Sequence, residues 1–457
     1  MTIGIYSDNA NPDATQKRYM IESKATMPSG ASTIVRAYAQ QVSFGKYAFF
    51  ADIDSGGYWD WNNHFEGPFH SNCSNSLPST FLWKAAPPDG PIFQYEGPGA
   101  LETTVTPKWW KNTTGAVSAP QTDAEWKAVA KGGLASVSIS SSNFIPLPTT
   151  NYSQMYVALG QTPPTAITGP PSSGVPTLFG VTVSNDGGIF IHGDCESMIL
   201  AQDGVGSQKF TIVTNPSSPS GSKLTQTVTA NANSITVQSV LTNSSNGVIS
   251  AAAYPNKTYD SSPKGLLYCD GNISSLSGTV ADNTVDSTTG AITYRNQWSI
   301  FTDTANGNNG KDVTITDSLT YTTKRDFTKP QAQDADFNLR AGTLGIVAND
   351  VIVSTKTPSG TYRSEIDAHA DIFCTGTYKA ENSGAVIPGT PKMTNVGGVI
   401  VKTSGIFAIG NNGAVVSGRS ESYHYDQRLA DHPPPYFPTT GNHYAVTSYQ
   451  IVKSMLQ

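Results

Sequence analysis

Between residues 187 and 410 the chain repeats one short phrase, an apolar run closed by Gly, Asn or Asp. The copies are GGIFIHGDCESMIL (187–200), GLLYCDGNISSLSG (265–278), GTLGIVANDVIVST (342–355), SEIDAHADIFCTGT (364–377) and GGVIVKTSGIFAIG (397–410). Units this short bury an apolar face only by stacking on their neighbours. Superposing Gly193-Asp194 on Gly271-Asn272 places Ile191 on Cys269 and Met198 on Leu276. Superposing Asn349-Asp350, Ala370-Asp371 and Ser404-Gly405 aligns Val351-Ile352, Ile372-Phe373 and Ile406-Phe407, at steps of 21 (349 to 370) and 34 (370 to 404) with residues 381–392 as an inserted loop. The pattern predicts a large parallel β-solenoid over residues 177–425, with Ile191, Ile346, Val351, Ile372 and Ile406 facing inward. An antiparallel sandwich is the rival reading.

The fold class expected is mostly β. Only 14% of the 457 residues are charged, while Gly (42) and Pro (29) are abundant, a balance that disfavours long amphipathic helices and favours short strands between turns. Before the repeats, residues 19–26 and 32–42 alternate around Pro28, Ser29 and Gly30 and predict a hairpin. Residues 43–53 read as a short helix or a third strand. Residues 122–132 predict a helix: Thr122 and Glu125 have capping-box spacing, and Gly132 stands at the end. A Pro/Gly-rich stretch, 162–176, marks a boundary. The domains expected are therefore an α+β part over 1–176, the solenoid over 177–425, and a terminal capping segment with a return strand over 426–457.

A net charge of −6 offers no global attraction to nucleic acid or an anionic membrane, so such binding needs a local patch. No run approaches the roughly 18 apolar residues of a membrane span, and residues 1–20 lack a signal-peptide core. Cys73, Cys195, Cys269 and Cys374 have no zinc spacing and read as isolated buried thiols; in an exported protein they allow three disulfide pairings.

Few constellations carry chemistry. His192-Gly193-Asp194-Cys195-Glu196 reads as a solvated corner, since neighbours on a strand alternate faces. Asp367, His369 and Asp371 could share one face, where a metal or sugar would bind, although a histidine between acids is more often structural. Residues 303–312 match a calcium loop poorly, with Ala305 at a ligand position. Polysaccharide-cleaving β-helices need convergent carboxylates, and here the acids are scattered. No cofactor, catalytic residue or metal site is expected. The one basic-aromatic cluster, Lys108-Trp109-Trp110-Lys111, could stack bases and meet phosphates.

The segments at 18–52, FEGPFHSN (65–72), IPLP (145–148), GGIFIHGDCESM (187–198), LGIVANDVIV (344–353), IDAHADIF (366–373) and above all YDxRLxxxPPPxFP (425–438) resemble a known family. They are similar to the pilin-like envelope proteins of bacterial type IV pili (the PilX/DUF-type group), including large ComZ-like competence minor pilins. The resemblance implies a non-enzymatic minor pilin or pilus-tip protein of the cell envelope or extracellular pilus, with other pilins as partners and a role in adhesion or DNA uptake. It also implies an anchoring N-terminal apolar helix, which this chain lacks, so membrane contact would need a helix missing here. A secreted carbohydrate-active β-helix enzyme and a stand-alone adhesin are the alternatives.

Within this frame the terminal motif reads as a seal. Pro433, Pro434 and Pro435 force the chain out of the last coil in extended form. Asp426 and Arg428 pair there, and Tyr425, Tyr436 and Phe437 cover apolar surface that the end of a solenoid would expose. The alternation of residues 443–452 then suits a strand returning to the N-terminal domain.

Overall fold

The computed structural model describes residues 2–7, 18–28, 30, 32–54, 58–60, 62–75, 77–87, 90–111, 116–139, 142–216, 221–245, 247–249, 252–304, 310–357, 360–388, 391–411 and 414–453. These are mostly β, with short helices only. No described helix is long and apolar enough to cross a membrane. Two compact units are present: Met1–Phe44 with Pro438–Gln457, and Gly45–Phe437.

The first unit is a four-stranded antiparallel sheet in the order Thr2–Ser7, Arg18–Thr26, Ser32–Ser43, Thr439–Lys453. The hairpin forms as the alternation predicts, with Tyr19 opposite Ala39 and Thr26 opposite Ser32. Its turn is closed by the Gly30 N–H donating to the Met27 carbonyl at 2.9 Å, with Gly30 at φ 85°, a conformation glycine adopts without a Cβ penalty. The last strand pairs with Ser32–Ser43, placing Tyr449 beside Ala37 and Ile451 beside Val35.

In the second unit the repeated runs lie side by side in parallel columns. One column contains Ile189–His192, Leu266–Cys269, Gln297–Thr302, Thr343–Ala348, Asp371–Ala380 and Val399–Ser404, each hydrogen-bonded to the next. Beside it, Cys195–Gln202, Ile273–Val280 and Val313–Tyr321 form a second. A third runs through Glu365–His369, Lys392–Val396 and Ser420–His424. The first superposition is realised: Ile191 pairs with Cys269 and Met198 with Leu276. In sequence between those two layers, an antiparallel meander, Gln208–Thr214, Lys223–Ala230 and Ile235–Thr242, pairs with the other edge of Cys195–Gln202 and accounts for the 78-residue step (191 to 269).

The second superposition is not realised. Ile372 pairs with Ile346 and Val399, while Val351 pairs with Tyr378, so the steps are 26 (346 to 372) and 27 (372 to 399). Ile191, Ile346, Val351 and Ile372 are fully buried, as expected of apolar residues aligned in register. Ile406 instead is 54% exposed, and Phe407 takes the inward position against Tyr378, ring centroids 4.8 Å apart. The reason is local: the strand ends at Ser404, so the next residues no longer follow its pleat.

The sequence-based boundaries at 176 and 425 both fall inside the second unit. Strands within residues 49–138 extend the same columns, with Val399 paired in parallel with Phe49, Phe49 with Phe69, His70 with Glu102, and Leu101 with Val137, while Tyr58–Asp60, Thr80–Trp83, Lys108–Lys111 and Ala116–Val117 form a separate four-stranded sheet. The third column likewise continues from Tyr423 to Phe65, and then by bridges to Phe93 and Ala130. Register aligns like side chains, so Phe65 stacks on both Tyr423 (4.9 Å) and Phe93 (5.5 Å), and Phe49 on Phe69 (5.4 Å). The expected helix is Asp123–Val129, with the Thr122/Glu125 capping box in place. It stops before Gly132 because Ala130 is drawn into its bridge with Phe93; the left-handed residue is Gly133, φ 64°.

Candidate functional site

The Lys108–Lys111 strand lies parallel to Thr80–Trp83, and the pleat divides the basic-aromatic cluster between two faces. Trp109 is buried against Phe81 and Trp126, at 5.1 and 5.4 Å. Lys111, on the same side, is bonded to Glu125 at 2.6 Å and sits over the Trp83 ring. Outward stand Lys108 and a half-buried Trp110, whose ring meets Tyr58 edge-on at 5.5 Å. One lysine and one ring thus remain where sequence placed two of each.

The terminal motif lies along the flank of the columns. Asp426 is fully buried and accepts from Arg428 Nη2 (2.6 Å) and Gln331 Nε2 (2.7 Å). Arg428 also donates to the carbonyls of Ala341 and Gly342 and lies 4.2 Å from the Phe337 ring centroid. Burial works against its charge, but Asp426 holds its pKa above the usual arginine value. Tyr425 donates its N–H to Glu66 and is half-buried. Pro433 and Pro434 are buried, Pro435 and Tyr436 half-buried. The proline run does not continue extended: the Phe437 N–H returns to the Pro434 carbonyl at 3.1 Å, closing a turn in which Tyr436 has φ 61°. Phe437 meets Phe373 edge-on at 6.3 Å. A Cβ built on Gly345 would meet Phe437 at 2.8 Å and Pro434 at 3.0 Å, and one on Gly265 would meet Pro435 at 2.8 Å. The segment therefore straps successive layers along their side.

The Gly/Asn/Asp corners form a ladder. Asp194 Oδ1 accepts the Asn272 N–H (2.8 Å), Asn272 Oδ1 accepts that of Asp312 (3.0 Å), Asp312 Oδ1 that of Asp350 (3.0 Å), and Asp350 Oδ1 that of Thr377 (2.7 Å). His192 Nδ1 lies 2.6 Å from Asp270 Oδ2. The 192–196 cluster lies at one of these corners, with Asp194 in the ladder and Cys195 buried.

Asp367, His369 and Asp371 do not share one face, because Ala370 separates two strands there. His369 is buried, its Nδ1 accepts the Tyr321 N–H at 3.2 Å, and burial pushes its pKa down to about 3. Asp371 is buried with Oδ1 accepting the Gly398 N–H at 2.6 Å, and burial pushes its pKa well up. Sequence reasoning missed Glu421, whose carboxyl accepts from the Tyr423 hydroxyl inside the third column; burial raises its pKa to about 8. All four cysteines are buried free thiols. Among the described residues no group of three or more His, Cys, Asp and Glu is placed to hold a metal. Half of the weak calcium-loop match over 303–312, residues 305–309, lies outside the described residues.

A cleft of about 360 Å³ opens beside the strap. Arg295, Arg428 and His432 bring basic groups to it, Gln297 and Gln427 bring side-chain amides, the Asn338 amide is engaged by Gln331, and among the described residues no carboxylate lines it. Asp426 pairs with Arg428, whereas Arg295 makes no ion pair among the described residues. Burial and the neighbouring Arg428 charge lower the Arg295 pKa. Sequence offered no signal for this grouping, since its residues span positions 283 to 432.

No protein-family model matches the chain, and no curated protein matches it in sequence. Among solved structures it is weakly similar to the competence-associated pilin ComZ from Thermus thermophilus, with 12% identity and a TM-score of 0.32 over 98% of this chain and 83% of that one. A likeness of this size assigns neither a fold nor a role.

Proposed function

We propose that the chain is a non-enzymatic component of a bacterial type IV pilus, a minor pilin or pilus-tip protein at the cell surface. In this reading the parallel columns are the coils of a β-solenoid, and the four-stranded sheet receives an apolar helix of a filament subunit. The observation that carries it is one face of that sheet. Register aligns Ile3, Ser23, Val35 and Ile451 in one row and Ile5, Ile21, Ala37 and Tyr449 in the next. Ile5 is 68% exposed, Tyr449 73% and Ile451 62%. The opposite face carries Glu22 and Arg36, which form an ion pair at 2.9 Å.

A contiguous apolar face in water marks an interaction site. Each Å² removed from water contributes roughly 25 cal/mol, and the apolar stripe of a helix covers one sheet face. The resemblance of residues 18–52 and 425–438 to pilin-like proteins makes a filament helix the occupant. A DNA-uptake role would rest on Lys108 and Trp110 alone, and such contact would be weak and salt-sensitive.

The test is fractionation of sheared pili from the native host. The parent is expected to leave with the filaments, and a Tyr449→Lys, Ile451→Lys double variant of unchanged circular dichroism to stay behind. Equal release from a strain without pili overturns the reading.

A further inference from the structure

We propose that the cleft beside Arg295 is a binding site for a carboxylate-bearing saccharide. The net charge of −6 makes a patch without acids unusual on this chain, yet the cleft gathers two guanidinium groups and an imidazole and, among the described residues, no lining carboxylate. The Arg428 charge is already met by Asp426 at 2.6 Å. That of Arg295 is met by no carboxylate among the described residues, and the neighbouring Arg428 repels it. An anion in the cleft relieves that repulsion, and a planar carboxylate matches a guanidinium fork.

The remaining lining specifies the rest of the ligand. Gln297 and Gln427 bring side-chain amides, which carry the donors and acceptor that neighbouring sugar hydroxyls require, while the Asn338 amide is engaged by Gln331. Ile292 and Leu339 provide the apolar contact. The volume lies at the small end of the roughly 300–1,000 Å³ typical of small-molecule sites, enough for a short saccharide and too little for a chain.

The site is independent of helix docking on the sheet, so failure of either reading leaves the other intact. Calorimetric titration of the full chain with D-glucuronate, D-glucose, acetate and inorganic phosphate tests it. Glucuronate is expected to bind measurably more tightly than glucose or acetate. Arg295→Gln should weaken it about ten-fold or more, the loss of one charge-assisted bond. Arg295 is exposed, so this variant should keep the parent melting temperature. Binding of glucose equal to that of glucuronate, no effect of Arg295→Gln, or no binding of any probe overturns the proposal. Tighter binding of phosphate than of glucuronate replaces the saccharide with a phosphate and overturns its identity.

Discussion

Asp312 Oδ1 accepts the backbone N–H of Asp350 at 3.0 Å and, at the same distance, Nδ2 of Asn349. One side chain thereby ties two layers that are 38 residues apart (312 to 350). Asp312→Ala leaves the Asp350 N–H without its acceptor and should cost about 1–3 kcal/mol. Asp312→Asn keeps an acceptor oxygen and should stay within about 0.5 kcal/mol of the parent. Urea unfolding measures both, and an alanine variant as stable as the parent would refute the ladder.

Ile372 and Ile406 separate the two registers read from the repeats. Ile372 is fully buried between Ile346 and Val399, so Ile372→Asp places a carboxylate in a dry column and should cost about 4 kcal/mol or prevent folding. Ile406→Asp, at an exposed position, should change stability by less than about 0.5 kcal/mol. Thermal melts of the two variants check the contrast; similar losses in both contradict the observed register.

Glu421 makes stability fall as the solution becomes alkaline. Burial holds its pKa near 8, against 4.5 for an unperturbed glutamate, so the folded chain keeps a proton that the unfolded chain releases. The stabilisation is complete below about pH 4.5 and is lost as pH rises through 8, by at most about 1.4 kcal/mol for each pH step of one. Asp371 acts in the same direction. Melting temperature should fall from pH 5 to pH 9, and Glu421→Gln should flatten that fall. An unchanged slope in the variant would show that Glu421 does not carry it.

The strap predicts a steric effect at a glycine. A Cβ on Gly345 would overlap Phe437 and Pro434, so Gly345→Ala should displace the strap and cost about 1–3 kcal/mol. Hydrogen exchange should report the loss as faster exchange of the Phe437 N–H, which bonds to Pro434. Protection equal to the parent's would mean that the strap does not rest there.

The amino-acid sequence by itself determined what local chemistry can determine. Alternation of β-branched and small residues fixed the hairpin of Arg18–Thr26 with Ser32–Ser43, the Thr122/Glu125 spacing fixed the start of a helix, and Gly193-Asp194 with Gly271-Asn272 fixed one register. Tertiary structure alone decided which distant segments share a column. Val399 pairs with Phe49, 350 residues away (49 to 399), and the strands of that region, as short as Phe69–Ser71, carry no readable period. The same holds for the terminal motif and the cleft. Asp426 and Arg428 were legible as a pair, but the carbonyls and Gln331 that receive them are set by how the layers stack. Arg295 meets Arg428 only because that stacking brings position 295 to the flank where the strap passes. Hydrogen bonds between parallel strands are backbone contacts available to any residue, so side-chain identity constrains register only where burial penalises a slip.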